Sequence, residues 1–177
     1  MRRLSCACLA GLLTLTATAC RRGPETVPAS ATQEETQELA SMIHVADPRA
    51  SLQLVKGFHE VEQNAWRWTM ARFAVTLRAP AGASQKGAIL VLKGAVPDPV
   101  IAKLKSVTLT ANVEGVPLAA ETFSKPGECT YRRDVPPAAF PAEAVTVNFA
   151  LDKALAPGEA DHRELGIVVT SVGFEAK

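Results

Sequence analysis

Period-two alternation, broken roughly every ten residues by turn formers, is the feature that most limits the folds open to this chain. In "SVTLTANV" the apolar Val107, Leu109, Ala111 and Val113 alternate with polar partners, which is the pattern of a strand half buried on a sheet. Glu114 and Gly115 follow where a tight turn belongs, and "VPLAAETF" returns, so the pair predicts a hairpin. "AVTVNFALD" alternates through Val145, Val147, Phe149 and Leu151, while "GAILVLKG" is a continuous apolar run between glycines, as expected of a strand covered on both faces. In "LGIVVTSVGF" the parity changes: Leu165, Ile167 and Val169 share one face, and Val172 and Phe174 join it only if a bulge lies near Thr170 and Ser171. The pattern predicts an all-β fold, an antiparallel β-sandwich of about seven to nine strands over residues 51–177, with no second domain and no internal repeat.

The start of the chain has a different texture. "MRRLSCACLAGLLTLTATAC" orders a basic pair, an uncharged apolar run and small residues ahead of Cys20, the order of a secretory signal peptide over residues 1–19. The run is shorter than the roughly twenty apolar residues that a bilayer span requires. Ala17, Thr18 and Ala19 before Cys20 resemble the bacterial lipobox, although the usual Leu three places before the cysteine is replaced by Ala17. That resemblance implies a lipoprotein in which Cys20 is lipidated and its acyl chains, palmitate among them, anchor the protein to a membrane of the cell envelope. Arg21, where Asp would otherwise stand, resembles lipoproteins sent to the outer membrane of organisms that have one.

"RRGPETVPASA" after the cysteine is too poor in apolar residues to pack, so residues 20–31 read as a lipidated, flexible tether. In "TQEETQELASMIHV", Thr32 and Glu35 have capping-box spacing and Leu39, Met42 and Ile43 could line one helical face, which predicts a short helix within residues 32–46.

Charge and cysteine content exclude several classes of function. The chain holds 19 basic and 18 acidic residues; loss of Arg2 and Arg3 with a signal leaves a balance near zero. A nucleic-acid binder needs a basic surface, so nucleic acid is not an expected partner. Of four cysteines, Cys6 and Cys8 leave with the signal and Cys20 is acylated, so Cys129 has no partner for a disulfide. In "GECTY" nothing nearby reads as a base for it, and it is expected to be a strand residue rather than a nucleophile.

Candidate functional residues concentrate in "GFHEVEQNAWRWTMARFAVTL", Gly57 to Leu77. It holds Phe58, Trp66, Trp68 and Phe73, four of the nine aromatic residues of the chain, among His59, Glu60, Glu62, Arg67 and Arg72. A second cluster, "DHRELG", runs from Asp161 to Gly166 just before the last strand. Gly57, Phe58, His59, Glu62, Arg67, Trp68, Asp161, Arg163, Leu165 and Gly166 together resemble a β-sandwich module attached to bacterial glycosyltransferases and other surface-polysaccharide proteins. Phe58 and His59 depart from it, since the module commonly has Trp and Tyr there. The resemblance implies a sandwich but carries no activity with it.

Chemistry points to one arrangement of these residues. Arg67 offers a planar fork that can lie on an indole face and pair with a carboxylate, Glu62 and Asp161 are the acceptors in reach, and Arg163 adds a second cation. The two segments are therefore expected to meet as a network of Glu62, Arg67, Asp161 and Arg163 beside Trp66 and Trp68. Such a network either staples the last strand to the early ones or forms a glycan site, in which indoles cover the apolar face of a sugar while charged groups bond its hydroxyls.

Enzymatic chemistry is not expected. His44, His59 and His162 lack the spacing of a zinc site, and a composite of His59, Glu62, Asp161 and His162 would need both segments to touch. No serine sits in a nucleophile elbow and no glycine run cradles phosphate, so no catalytic residue, metal or cofactor is assigned. Glu60, Glu62 and Asp161 read as ion-pair partners rather than a hydrolase pair. The expected function is non-catalytic recognition of glycan by a lipid-anchored envelope protein. The alternative is a structural or protein-interaction component of an envelope assembly that uses a strand edge or the "LKGAVPDPV" loop.

Overall fold

The computed structural model describes residues 38–159 and 161–177. The expected signal peptide, Cys20, the expected tether and the first positions of the expected helix lie outside the described residues. Nine strands follow in order: β1 Met42–His44, β2 Leu54–Glu62, β3 Trp66–Arg78, β4 Ala88–Val96, β5 Val107–Val113, β6 Val116–Phe123, β7 Gly127–Val135, β8 Ala144–Leu151 and β9 Val168–Ala176. Two short helices, α1 Ala83–Lys86 and α2 Asp98–Leu104, interrupt them.

All pairings are antiparallel and the hydrogen-bonded path runs β6-β5-β8-β3-β9-β4-β7, with β1 on β9 and β2 on β3. β3 joins two layers. Its second half, Arg72 to Arg78, pairs with β8, whereas Arg67 and Trp68 in its first half pair with Val169 and Val168 of β9. One layer is therefore β6-β5-β8-β3-β2, and the other is β7-β4-β9 continued by β1 and the start of β3. The sheet curls back on itself like a barrel. At the seam between β6 and β7, Tyr131 Oη donates to the Ala119 carbonyl at 2.8 Å, and Arg133 donates to Ala119, Ala120 and Glu121.

The alternating sequences bury what the pattern says they should. Val107, Leu109, Ala111 and Val113 of β5 and Val145, Val147, Phe149 and Leu151 of β8 are all buried. They meet the other layer through Tyr131, whose ring stands edge-on to Phe149 at 6.5 Å, while Phe73 stacks on Phe149 at 4.9 Å. The hairpin turns at Glu114 and Gly115, both at positive φ (47° and 89°), the geometry that matches the twist of two paired strands. In β9 the register slips at Thr170, between the pairs Lys93–Ser171 and Gly94–Val169. That bulge returns Val172 and Phe174 to the buried side with Ile167 and Val169.

The region expected to be helical differs. Its described part, residues 38–46, contains strand β1, which pairs Met42, Ile43 and His44 with Gly173, Val172 and Ser171. Ile43 and Val45 are buried at alternating positions and the Val45 amide bonds to the Thr170 carbonyl at 3.0 Å. A free strand edge on β9 offers these β-branched residues a ladder and a core, which outweighs the marginal propensity of a short helix. The sandwich thus begins before residue 51. "LKGAVPDPV" is likewise no loop: its first half completes β4 and Asp98 to Val100 open α2.

Candidate functional site

Strand alternation decides how the opening segment is displayed. Glu62 is directly opposite Trp66, and Val61 opposite Arg67, in the β2–β3 ladder, so Glu62, Trp66 and Trp68 share the outer face and Arg67 takes the other. Arg67 projects inward at one end of the sandwich. Its Nε donates to the Val45 carbonyl at 2.7 Å and Nη1 to the His59 carbonyl at 2.9 Å, with Glu60 no closer than 4.0 Å.

The expected network is therefore split. Glu62, Asp161 and Arg163 do come together: Arg163 Nη1 donates to Glu62 Oε1 at 2.8 Å, and its Nε and Nη2 hold both oxygens of Asp161 at 2.8 to 3.3 Å. Arg67 is not part of that group and lies on the face opposite the tryptophans, because residues 66, 67 and 68 are consecutive on one extended strand. Arg163 also donates its backbone amide to Asp161 at 2.9 Å. These donors hold the Asp161 carboxyl down from 3.8 to about 2.

The remaining motif residues tie the same two segments. His59 Nε2 meets the Glu164 carbonyl at 2.7 Å, and Glu164 Oε1 accepts from the Ala71 amide at 2.8 Å. Thr69 exchanges bonds with Gly166 and Ile167. A Cβ on Gly166 would fall 2.5 Å from Leu151 Cδ1 and 2.7 Å from Thr69 Oγ1, so any larger residue there forces its neighbours to shift. Phe58 stands edge-on to Phe73 at 5.4 Å. Gly57, at φ 77°, lies where β2 slips register beside Phe73, and a Cβ there would collide with the Arg72 carbonyl.

The outer face is different in kind. Trp66 and Trp68 are half-buried on an open groove of about 590 Å³, together with Glu62, Lys93, Gly94, Ala95, Pro97, Glu128, Thr130, Val168 and Thr170. Register assembles its floor from distant strands: Trp68 is opposite Val168, Val168 opposite Ala95, and Ala95 opposite Glu128. The two middle side chains, Val168 and Ala95, are smaller than the half-buried indoles beside them, and Val168 is buried. Trp68 also reaches the core with part of its ring, whereas Trp66 is not among the core-packed residues. Glu128, Thr130, Val168 and Thr170 are site residues that sequence reasoning did not single out, and Lys93 and Ala95 entered it as site candidates only within the "LKGAVPDPV" segment offered for protein interaction.

A larger concavity, about 680 Å³, lies around Arg78 to Ser84 and Phe140 to Glu143. Its one aromatic ring, Phe140, is buried against Phe174, and Arg78 is paired with Glu38. It offers no stacking surface, so the tryptophan groove is the better candidate site.

Reactive groups are few on these surfaces. Cys129 is buried and its thiol is pushed up to about 11 by burial, so it is protonated at neutral pH. Among the described residues no group of three His, Cys, Asp or Glu side chains is placed to hold a metal ion. Glu60 is fully exposed, and Glu62 and Asp161 are both committed to Arg163. Among the described residues no helix is long and apolar enough to cross a membrane.

No family model matches the chain, and no curated protein does. Among solved structures it is similar to an acetyl xylan esterase, Est2A, from the rumen bacterium Butyrivibrio proteoclasticus, with a TM-score of 0.45 and 8% identity over 79% of this chain and 33% of that one. It is also similar to the CBM36-1 domain of a multidomain xylanase from the hindgut metagenome of Trinervitermes trinervoides, with a TM-score of 0.35 and 9% identity over 69% of this chain and 89% of that one. The CBM51-2 and INT domains of Clostridium perfringens ZmpB overlap it with a TM-score of 0.33 and 14% identity over 76% of this chain and 28% of theirs. The chain spans about a third of the esterase's length. Overlaps of this extent leave the site to be read from its own residues.

Proposed function

We propose that the protein is a lipid-anchored component of the bacterial cell envelope, held in the membrane by acylated Cys20, whose sandwich recognises glycan without catalysing a reaction on it. The observation that carries this reading is the pair of half-buried indoles, Trp66 and Trp68, displayed on one face of β3 beside the smaller side chains of Val168 and Ala95. A sugar ring presents an apolar C–H face that an indole covers, and Lys93, Glu128, Thr130 and Thr170 supply donors and acceptors for its hydroxyls. The clamp of Glu62, Asp161 and Arg163 holds the rim of that face in place.

Retention on immobilised polysaccharides, measured beside melting temperature, tests the reading. Trp66→Ala is expected to abolish retention with little change in stability. Trp68→Ala is expected to abolish it and to cost about 2 kcal/mol, because part of that ring packs on the core. Undiminished retention in both variants would contradict the reading.

One observation favours a second reading, docking of an envelope protein. Leu52, in the 3-10 turn Pro48–Gln53 that leads into β2, and Val55 at the start of β2 are 74% and 53% exposed beside the outer edge of β2, which has no strand partner on that side among the described residues. The register slips along β2 make that edge a poor template for an added strand. Co-purification of a fixed envelope protein, lost in Leu52→Glu and unaffected by Trp66→Ala, would favour it.

A further inference from the structure

The groove has a direction, a length and a charge, and together they define an occupant. Its lining residues come from five neighbouring strands in the order β2, β3, β9, β4 and β7. The row Trp68–Val168–Ala95–Glu128 is a set of directly opposed residues, so the groove crosses the strands at right angles. From Glu62 on β2 to Glu128 on β7 there are four strand-to-strand steps, or about 19 Å at about 4.8 Å each. β2 has no further strand beyond it on that side among the described residues, and past β7 the sheet curls through the β6 seam into the other layer, so the row stays on the outer face at both ends.

A ring in an extended, equatorially linked pyranose chain advances by nearly one strand spacing. The row therefore matches about four rings, with the indoles along one stretch and Glu128 at the far end. Charge along the row sums to about −1, because Arg163 is shared between Glu62 and Asp161, and a small acidic excess disfavours an anionic chain. Glu62 is matched by Arg163 at 2.8 Å, and Lys93 and Glu128, which make no ion pair among the described residues, sit diagonally across the β4–β7 ladder on the same face.

Building on the glycan reading of this same groove, we propose that it takes the interior of a neutral, linear, extended polysaccharide, about four rings lying across the strands, rather than a chain end. The tryptophan pair covers one or two rings, the small, part-exposed side chain of Ala95 lets the next pass low over the sheet, and Glu128 and Thr130 bond hydroxyls of the last.

Calorimetric titration of the folded chain with β-1,4-linked glucan oligosaccharides of two to six units tests this. Affinity is expected to rise about tenfold between two and four units and to level off beyond four. Reduction of the terminal ring of the six-unit probe should leave it unchanged. Glu128→Gln should weaken the four-unit probe several-fold and leave the two-unit probe as it was, and β-1,4-linked oligomannuronates should bind about tenfold less tightly than the neutral series. Affinity already complete at one or two units, loss of binding on reducing the terminal ring, or equal binding of the uronates overturns this proposal while glycan recognition by the indoles stands. Absence of binding by every oligomer overturns both.

Discussion

Arg163 and Arg67 carry the same side chain to different ends. Arg163 gives its fork to two carboxylates at the surface, and Arg67 gives its own to two backbone carbonyls at the end of the interlayer space. Composition named both as cations beside acids, and only the alternation of residues 66 to 68 along β3 assigns them to opposite faces. The clamp on Asp161 has a pH signature. Its folded pKa lies below the ordinary value, so its contribution to stability is complete above about pH 4 and is lost as pH falls from 3.8 toward 2. Arg163→Gln, which removes the guanidinium and keeps the backbone amide bond, is expected to raise the Asp161 titration toward the ordinary carboxylate range, as carbon-detected NMR of the side-chain carboxyl would show. An unmoved titration would mean that other groups hold it down.

At the scale of elements, the runs with strict period two were readable from sequence because their partners lie on both sides and bury alternate residues. Even the bulge of β9 was legible, since a change of hydrophobic parity has no other economical explanation in a strand. The first strand was not. "SMIHV" shows both helical and extended spacing over so few residues, and what decides between them is the free edge of β9, contributed by residues 171 to 173. Glycines give a direct test of element geometry. Gly115→Ala places a Cβ at φ 89° in open space and is expected to cost about 1 to 2 kcal/mol. Gly57→Ala combines φ 77° with a collision on the Arg72 carbonyl and should cost distinctly more. Chemical denaturation of both variants checks the order, and equal costs would place the β2 slip elsewhere.

For the molecule as a whole, fold and clamp stand on side chains whose partners are visible, whereas the groove floor could not have been read from the chain. It exists only because three registers bring Val168, Ala95 and Glu128 into line with Trp68. The proposed anchor is tested by metabolic labelling with palmitate: label should follow the full-length protein and be lost in Cys20→Ser, and label retained in that variant would contradict acylation at Cys20.

The central claim is that both indoles form a glycan platform, and the chain has only two tryptophans to report on it. A nitrogen–proton correlation spectrum of the folded protein contains two indole resonances, one for each ring, to be followed while a neutral β-1,4-linked hexasaccharide is added. Both indole signals are predicted to move together with the amides of Ala95, Glu128 and Val168. Indole signals that stay fixed at saturating sugar would contradict the account.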